Sequence, residues 1–503
     1  MQFRFVFIFL LASLVSSAQK ITYSEADNDD SRQMDFEIIG KLGNNIAVYK
    51  TYRDNHYIAI YDNEMKQLSK TKVADMPDKV INADFINYSN QAYFIYQYQR
   101  KNIVYCNAIT IDASGNKVGN SIELDTTKIN FLASNRIYNI NYSEDKQRIG
   151  VYKINSESSK QYFLTTLVFD AQLKQLNKHR TAIDMPDRND FLSEFIVDND
   201  GDISFIRASG VNNNINKLQL FIKPLVADSL AMYELINVNN VFVDEIKVKA
   251  DNKNKRILVT SFYSKLRRGN VEGLFNTVFA KADGQILVNS TTVFNEELRS
   301  DARGENSLKM AFNDYYLRNI VMRADGGFIM AAEAAYQTTR GGNNFNRWNY
   351  GFGTFGATPG YYNWGPYGSY YPWGRNQYYN NTGTTRYYAD NILVTSFDPT
   401  GKLEWSNIVR KSQYDDNSDN FIGYNMLITS GELHFVFNQQ EKRNLILTEQ
   451  IIAPNGDITR KPTLKNLDKG YEFMPRLGKQ IASRTLIIPC QYRNYICFAK
   501  VEL

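Results

Sequence analysis

Apolar positions in this chain run largely consecutively instead of alternating. RILVTSF at 256–262 and NLILTEQII at 444–452 are examples. Continuous apolarity marks strands covered on both faces, whereas strict alternation would mark a sheet with one wet side. Each run ends in a polar turn and resumes as a second, more polar strand, as in NILVTSF, DPTG, KLEWS over 391–406. The same figure recurs with its turn at Asp62, Asp112, Asp170, Lys281, Asp398 and Ala453, and in degenerate form near Pro224. Gly115, Gly284, Gly401 and Gly456 fill the fourth turn position, where a hairpin closed by a type I turn calls for a left-handed residue.

These anchors lie 50 to 58 residues apart, except for 117 between Lys281 and Asp398. Setting aside the 47 residues of 340–386 leaves about 70 there, one long unit. A period in the fifties without helical periodicity predicts the four-stranded blades of a β-propeller. The fold expected is therefore all-β, a single propeller over 19–503 with eight blades. Seven is the alternative, because the fourth unit is degenerate. The last unit, TLIIPCQYR and NYICFAKVEL, stops at Leu503 one outer strand short. The segment QKITYS at 19–24 precedes the first unit's own inner strand and can supply the missing one, closing the ring and covering an open blade edge.

Before that segment, Arg4, the apolar stretch Phe5–Val15 and Ser16-Ser17-Ala18 have the form of an export signal over 1–18. Eleven apolar residues are short for a membrane span, and no later segment approaches eighteen. The mature protein is expected in the periplasm and not to span a membrane itself. Three cysteines exclude a disulfide-built scaffold. Cys490 and Cys497 flank a two-residue turn and fall opposite each other, where a disulfide is sterically allowed; a buried pair of thiols is the other option.

Net charge is +5, but 340–386 holds four Arg and no Asp, Glu or Lys, so removing its charge leaves +1 for the rest. A nucleic-acid surface is not expected. His56, His179 and His434 fall in different units, no metal or nucleophile motif is present, and neither a cofactor nor a metal site is expected. Asp198-Asn199-Asp200-Gly201-Asp202 lacks the flanking ligands of an EF-hand, with Ile196 and Ala208 where oxygens would be needed, and reads as a hairpin turn. Glu37, Asp84, Glu194, Asp244 and Glu245 fall on predicted innermost strands. A hydrolase using such channel carboxylates is one alternative function.

The pattern breaks between Gln337 and Arg386, in a segment with ten Gly, fourteen Phe, Tyr or Trp, and three of the four Trp. Long loops in compact folds are commonly functional, and aromatic side chains give large contact area at little entropic cost. The expected binding residues are Trp348, Tyr350, Phe352, Phe355, Tyr361, Tyr362, Trp364, Tyr367, Tyr370, Tyr371 and Trp373. Glycan stacking on Trp348, Trp364 and Trp373 is a second alternative. An exported propeller of this size, rich in Asn, Tyr and Lys, with SSA before Gln19 and an aromatic loop, resembles periplasmic β-propellers of the Bacteroidota envelope. Within that group it is most similar to the plug-subunit family of the type 9 secretion translocon. The resemblance implies a non-catalytic protein that docks on an envelope or outer-membrane complex through the face carrying 340–386, plugging the periplasmic end of a secretion pore.

Overall fold

The computed structural model describes residues 20–27, 34–133, 135–158, 160–187, 189–210, 215–236, 241–303, 311–339, 385–416, 418–441, 444–460 and 470–503. Eight antiparallel sheets form a ring, which is the expected eight-bladed propeller. Blades 1 to 8 occupy 34–72, 82–128, 138–184, 190–236, 242–293, 315–409, 424–460 and 471–502. Strands are lettered a to d from the axis outward. The degenerate fourth unit is a complete blade, with Lys217–Lys223 and Ala231–Ile236 as its strands c and d around Pro224.

No single core fills this ring. Its buried side chains form eight clusters, each of which joins two neighbouring blades. Leu258, Phe262 and Leu274 of blade 5 pack on Leu317, Phe328 and Leu393 of blade 6. Met34, Phe36 and Val48 of blade 1 likewise pack on Ile487, Ile496 and Phe498 of blade 8. Strands b and c lie between two such interfaces, which is why Arg256–Ser264 and Gly273–Ala280 are buried almost throughout. The outer strands have one wet side and alternate, as Gln175–Asp184 does.

The recurrent turns all join strand c to strand d. Asp398 Oδ1 accepts the backbone N–H groups of Thr400 at 2.8 Å and Lys402 at 3.0 Å. Asp62, Asp112 and Asp170 repeat the pattern. Gly401 and Gly456 have φ of 79° and 93°. A Cβ on them would lie 2.4 Å from Val288 and 2.8 Å from Trp405, both on the preceding blade. Glycine there answers a close approach as well as a dihedral.

The chain ends seal the ring as expected. Lys20–Tyr23 pairs antiparallel with Tyr495–Glu502, Lys20 opposite Glu502 and Tyr23 opposite Ala499. Ser24 N donates to Phe498 O at 2.8 Å, and Phe498 N donates to Ser24 Oγ at 2.9 Å. Asp27 then reaches into blade 1, paired with Lys50 and with Lys70 at 3.0 Å. Strand a of blade 8 is split into Tyr471–Phe473 and Lys479–Ala482 by a 3-10 turn over Pro475–Leu477. Cys490 and Cys497 are opposite partners in strands b and c of this blade, as thiols with sulfur atoms 2.8 Å apart.

Two outcomes test the closure. Removing residues 19–27 from the mature protein strips blade 8 of its outer strand, and calorimetry should show a melting temperature lower by more than about 10 °C or aggregation on heating. An unchanged melt would refute closure by this strand. Burial desolvates Asp27, yet Lys50 and Lys70 outweigh that and hold its carboxyl below the ordinary value. Its contribution is therefore present above the unfolded value of about 4 and lost as pH falls through the lower folded one. Asp27→Asn should cost about 3 kcal/mol at neutral pH and flatten the acid limb of the stability profile, measured by urea unfolding.

Candidate functional site

Successive strands run antiparallel, so turns fall alternately on two faces of the disk. The a–b and c–d turns share one face; the b–c turns and the d–a connections share the other. The segment 340–384 links strands b and c of blade 6, Phe328–Thr339 and Thr385–Phe397, and so leaves from the second face. The eleven aromatic residues from Trp348 to Trp373 lie outside the described residues. What the structure describes is their base.

That base is a stalk. Strands b and c of blade 6 run to 12 and 13 residues and stay paired out to Thr339 opposite Thr385. A third strand, Tyr414–Asp416, pairs with Arg386–Tyr388 beyond the end of strand d. The Arg386 guanidinium makes two hydrogen bonds to the Asp416 carboxylate, at 2.7 and 3.0 Å, and lies 4.4 Å from the Tyr414 ring centroid. Tyr336 and Tyr388 stack across the hairpin at 4.5 Å, and Tyr336 OH donates to Asp390 at 2.9 Å.

Below the stalk lies a buried charge cluster. Glu333 faces Lys411 at 2.8 Å and Arg318 at 3.3 Å. Lys411 Nζ also donates to Ala389 O and Gln413 Oε1, both at 2.8 Å. Gln413 in turn donates to Asn438 O of blade 7 at 2.7 Å and accepts from Gly423 N at 2.8 Å. Burial disfavours the Glu333 carboxylate, but Lys411 and Arg318 outweigh this and hold its pKa below the usual value. The segment leading to the third strand is thus clamped to blades 6 and 7 from inside.

The channel carboxylates sit on innermost strands as expected, dispersed around the axis. Asp84 accepts from Asn82 at 2.6 Å and pairs with Arg136 at 3.6 Å. Glu194 pairs with Lys247 at 3.0 Å across blades 4 and 5. Glu194 and Glu245 occupy bulges with φ of 53° and 56°. Asp244, beside Glu245, is buried. Glu37 is pushed up to about 8 by desolvation, against the pull of Lys479. The Asp84 charge on the neighbouring blade adds to that rise, and the other three carboxylates lie away on blades 4 and 5.

The Asp198–Asp202 turn carries three carboxylates near enough to share an ion. The ammonium of Lys281, from the c–d turn of blade 5, lies among them, 2.7 Å from Asp202 and 3.3 Å from Asp200, with Asp198 also in contact. The segment is the a–b hairpin turn of blade 4, and Lys281 stitches it to blade 5. The histidines lie on blades 1, 3 and 7. His56 is buried against Tyr49 OH at 2.6 Å, and His434 between Glu449 at 2.5 Å and Thr429 at 2.9 Å.

Lys411→Met should cost about 3 kcal/mol in urea unfolding, because Glu333 loses its nearest counter-charge inside the wall. Adding Glu333→Leu and Arg318→Met, which takes out the other two charges of the cluster, should recover most of that loss, and a triple variant as unstable as the single would show that charge is not what the cluster supplies.

No protein-family model matches the chain, and no curated protein matches it. Solved structures match it in outline. The WD40 domain of SCAP from fission yeast is 8% identical and aligns over 96% of this chain and 98% of that one, at a TM-score of 0.39. Prolyl oligopeptidase B from Galerina marginata is 7% identical over 92% of this chain and 56% of that one, at 0.41. A PL25 ulvan lyase is 9% identical over 93% and 94%, at 0.37.

Proposed function

We propose that this chain is a non-catalytic docking module of the cell envelope, exported by its first 18 residues to the periplasm. Its aromatic insertion binds an envelope protein complex. The observation that carries this reading is the stalk: a third strand, a bidentate ion pair and a tyrosine stack extend blade 6 past its disk and hold up the base of the insertion. Ordering so much backbone has a conformational cost, which a connecting loop has no need to meet. A finer reading rests on the resemblance to Bacteroidota envelope propellers. In it the insertion meets the periplasmic mouth of a protein-secretion pore and blocks it.

Replacing 341–383 with a two-residue Asn-Gly turn keeps the stalk and removes every aromatic of the insertion. The variant keeps every described side chain of the two seams that flank blade 6 and should melt within about 3 °C of the parent. It should fail to co-purify with the partner from detergent-solubilised envelope. Undiminished co-purification would rule out docking through this segment.

A further inference from the structure

The face that carries the insertion has a second set of features, on other blades. Leu266, in the b–c turn of blade 5, is 72% exposed. It stands between Lys265 and Arg267-Arg268, all exposed. Its turn is stiff: Leu266 O accepts from Ser264 Oγ at 2.9 Å and from Gly269 N at 2.8 Å. Phe131 and Leu132, on the connection from blade 2 to blade 3, are 61% and 78% exposed. They too are held out by design of the local bonding, since Gln99 donates to Phe131 O at 3.0 Å and accepts from Ala133 N at 2.7 Å.

Charge on this face has one sign in the b–c turns. Every one of them except that of blade 4 contains Lys or Arg, against Asp54 and Glu272 as their acids. The d–a connections contribute acids as well: Asp75, Asp187, Asp301, Asp416 and Asp419 are each ion-paired, and Asp78, Glu296 and Glu297 are exposed.

We propose that this face rests on a lipid bilayer containing anionic headgroups. Leu266 and the Phe131–Leu132 tip enter the boundary between headgroups and acyl chains, and the turn cations lie over lipid phosphates. The two tips stand on separate blades, and among the described residues they form no contiguous patch or groove of the kind a protein partner covers. A fluid interface accepts such tips one by one, and the three cations flanking Leu266, Lys265, Arg267 and Arg268, complement an anionic surface. The bilayer contact is independent of the docking reading above and uses none of residues 341–383.

The test is co-sedimentation of the full mature protein with protein-free vesicles of phosphatidylcholine, alone or mixed with phosphatidylglycerol. Binding is expected to the mixed vesicles and to weaken with salt. Arg267→Ser with Arg268→Ser should lower the partition coefficient more than tenfold, at about fivefold for each cation. Leu266→Ser and Phe131→Ser with Leu132→Ser should lower it even at low salt, while melting as the parent does. Val226→Ser, at a 93% exposed position in a c–d turn on the opposite face, should change nothing. Absence of binding to the mixed vesicles overturns the proposal, as does binding that these variants leave intact. Binding only to vesicles that retain envelope proteins would overturn it in favour of a protein surface. Co-purification from detergent, without a bilayer, reports on the insertion alone.

Discussion

Everything in this molecule depends on apolar contact between neighbouring sheets. A blade has two apolar faces and no partner of its own for either, so it is stable only between two others. The eight clusters of buried side chains are eight seams, and the seam between blade 8 and blade 1 is made by residues more than four hundred positions apart. The ring is therefore no stronger than its closure. Blade 8 takes its outer strand from Lys20–Tyr23, and Asp27 continues from that strand to lysines of blade 1. A terminal strand that would elsewhere fray is held by ladder bonds on one side and ion pairs on the other.

Buried charge is the second layer of organisation. Lys153 with Asp125 joins blades 2 and 3, Lys247 with Glu194 joins blades 4 and 5, and Arg476 with Asp419 links the approach to blade 7 with blade 8. Such pairs cost desolvation and add little net stability over apolar replacements. What they add is register, since an ammonium in the wall fits only where its carboxylate and carbonyl partners are already placed. Glu333, Lys411 and Gln413 do this at the root of the stalk, where strand d has ended and apolar packing no longer dictates the path of the chain.

The ring was legible because it rests on local pattern repeated eight times. Consecutive apolar residues told strands b and c apart from d, the Asp and Gly turns marked each c–d hairpin, and the short last unit showed that Gln19–Ser24 had a place to fill. Long-range pairing was not legible. Nothing in KADG predicts that Lys281 reaches the Asp198–Asp202 turn some eighty residues earlier. Likewise, Glu194 and Glu245 adopt positive φ in bulges without the glycine that would advertise it. The third stalk strand is three residues long, below the length at which alternation can be read. The pairing of Tyr336 with Tyr388 depends on a register set by a bulge between Glu333 and Ala335, and that of Arg386 with Asp416 on the separate ladder of the third strand, neither of which composition encodes.

The division of labour between the two faces follows from how the blades stack. On the face of the a–b and c–d turns, each c–d turn lies against the preceding blade: Gly401 under Val288, Gly456 under Trp405, with Trp405 Nε1 donating to Pro454 O at 3.0 Å. The a–b turns there are tied sideways as well, through Asn199 to Asn252 and Lys255 to Asp200. An insertion at a c–d turn would push neighbouring blades apart and open a seam. Two b–c turns also reach a neighbour: Val243 N of blade 5 donates to Ile215 O at 2.8 Å, and Val271 is buried in the seam of blades 5 and 6. Those of blades 1, 2 and 8 are short exposed tips at Arg53-Asp54, Lys101-Asn102 and Arg493-Asn494, where charge can change with the seams intact. The insertion, the exposed Leu266 and the run of basic turns all occur on b–c connections. The constraint is tightest at the c–d turns, where Gly115, Gly284, Gly401 and Gly456 each close on the blade before, and it relaxes at the short exposed b–c tips.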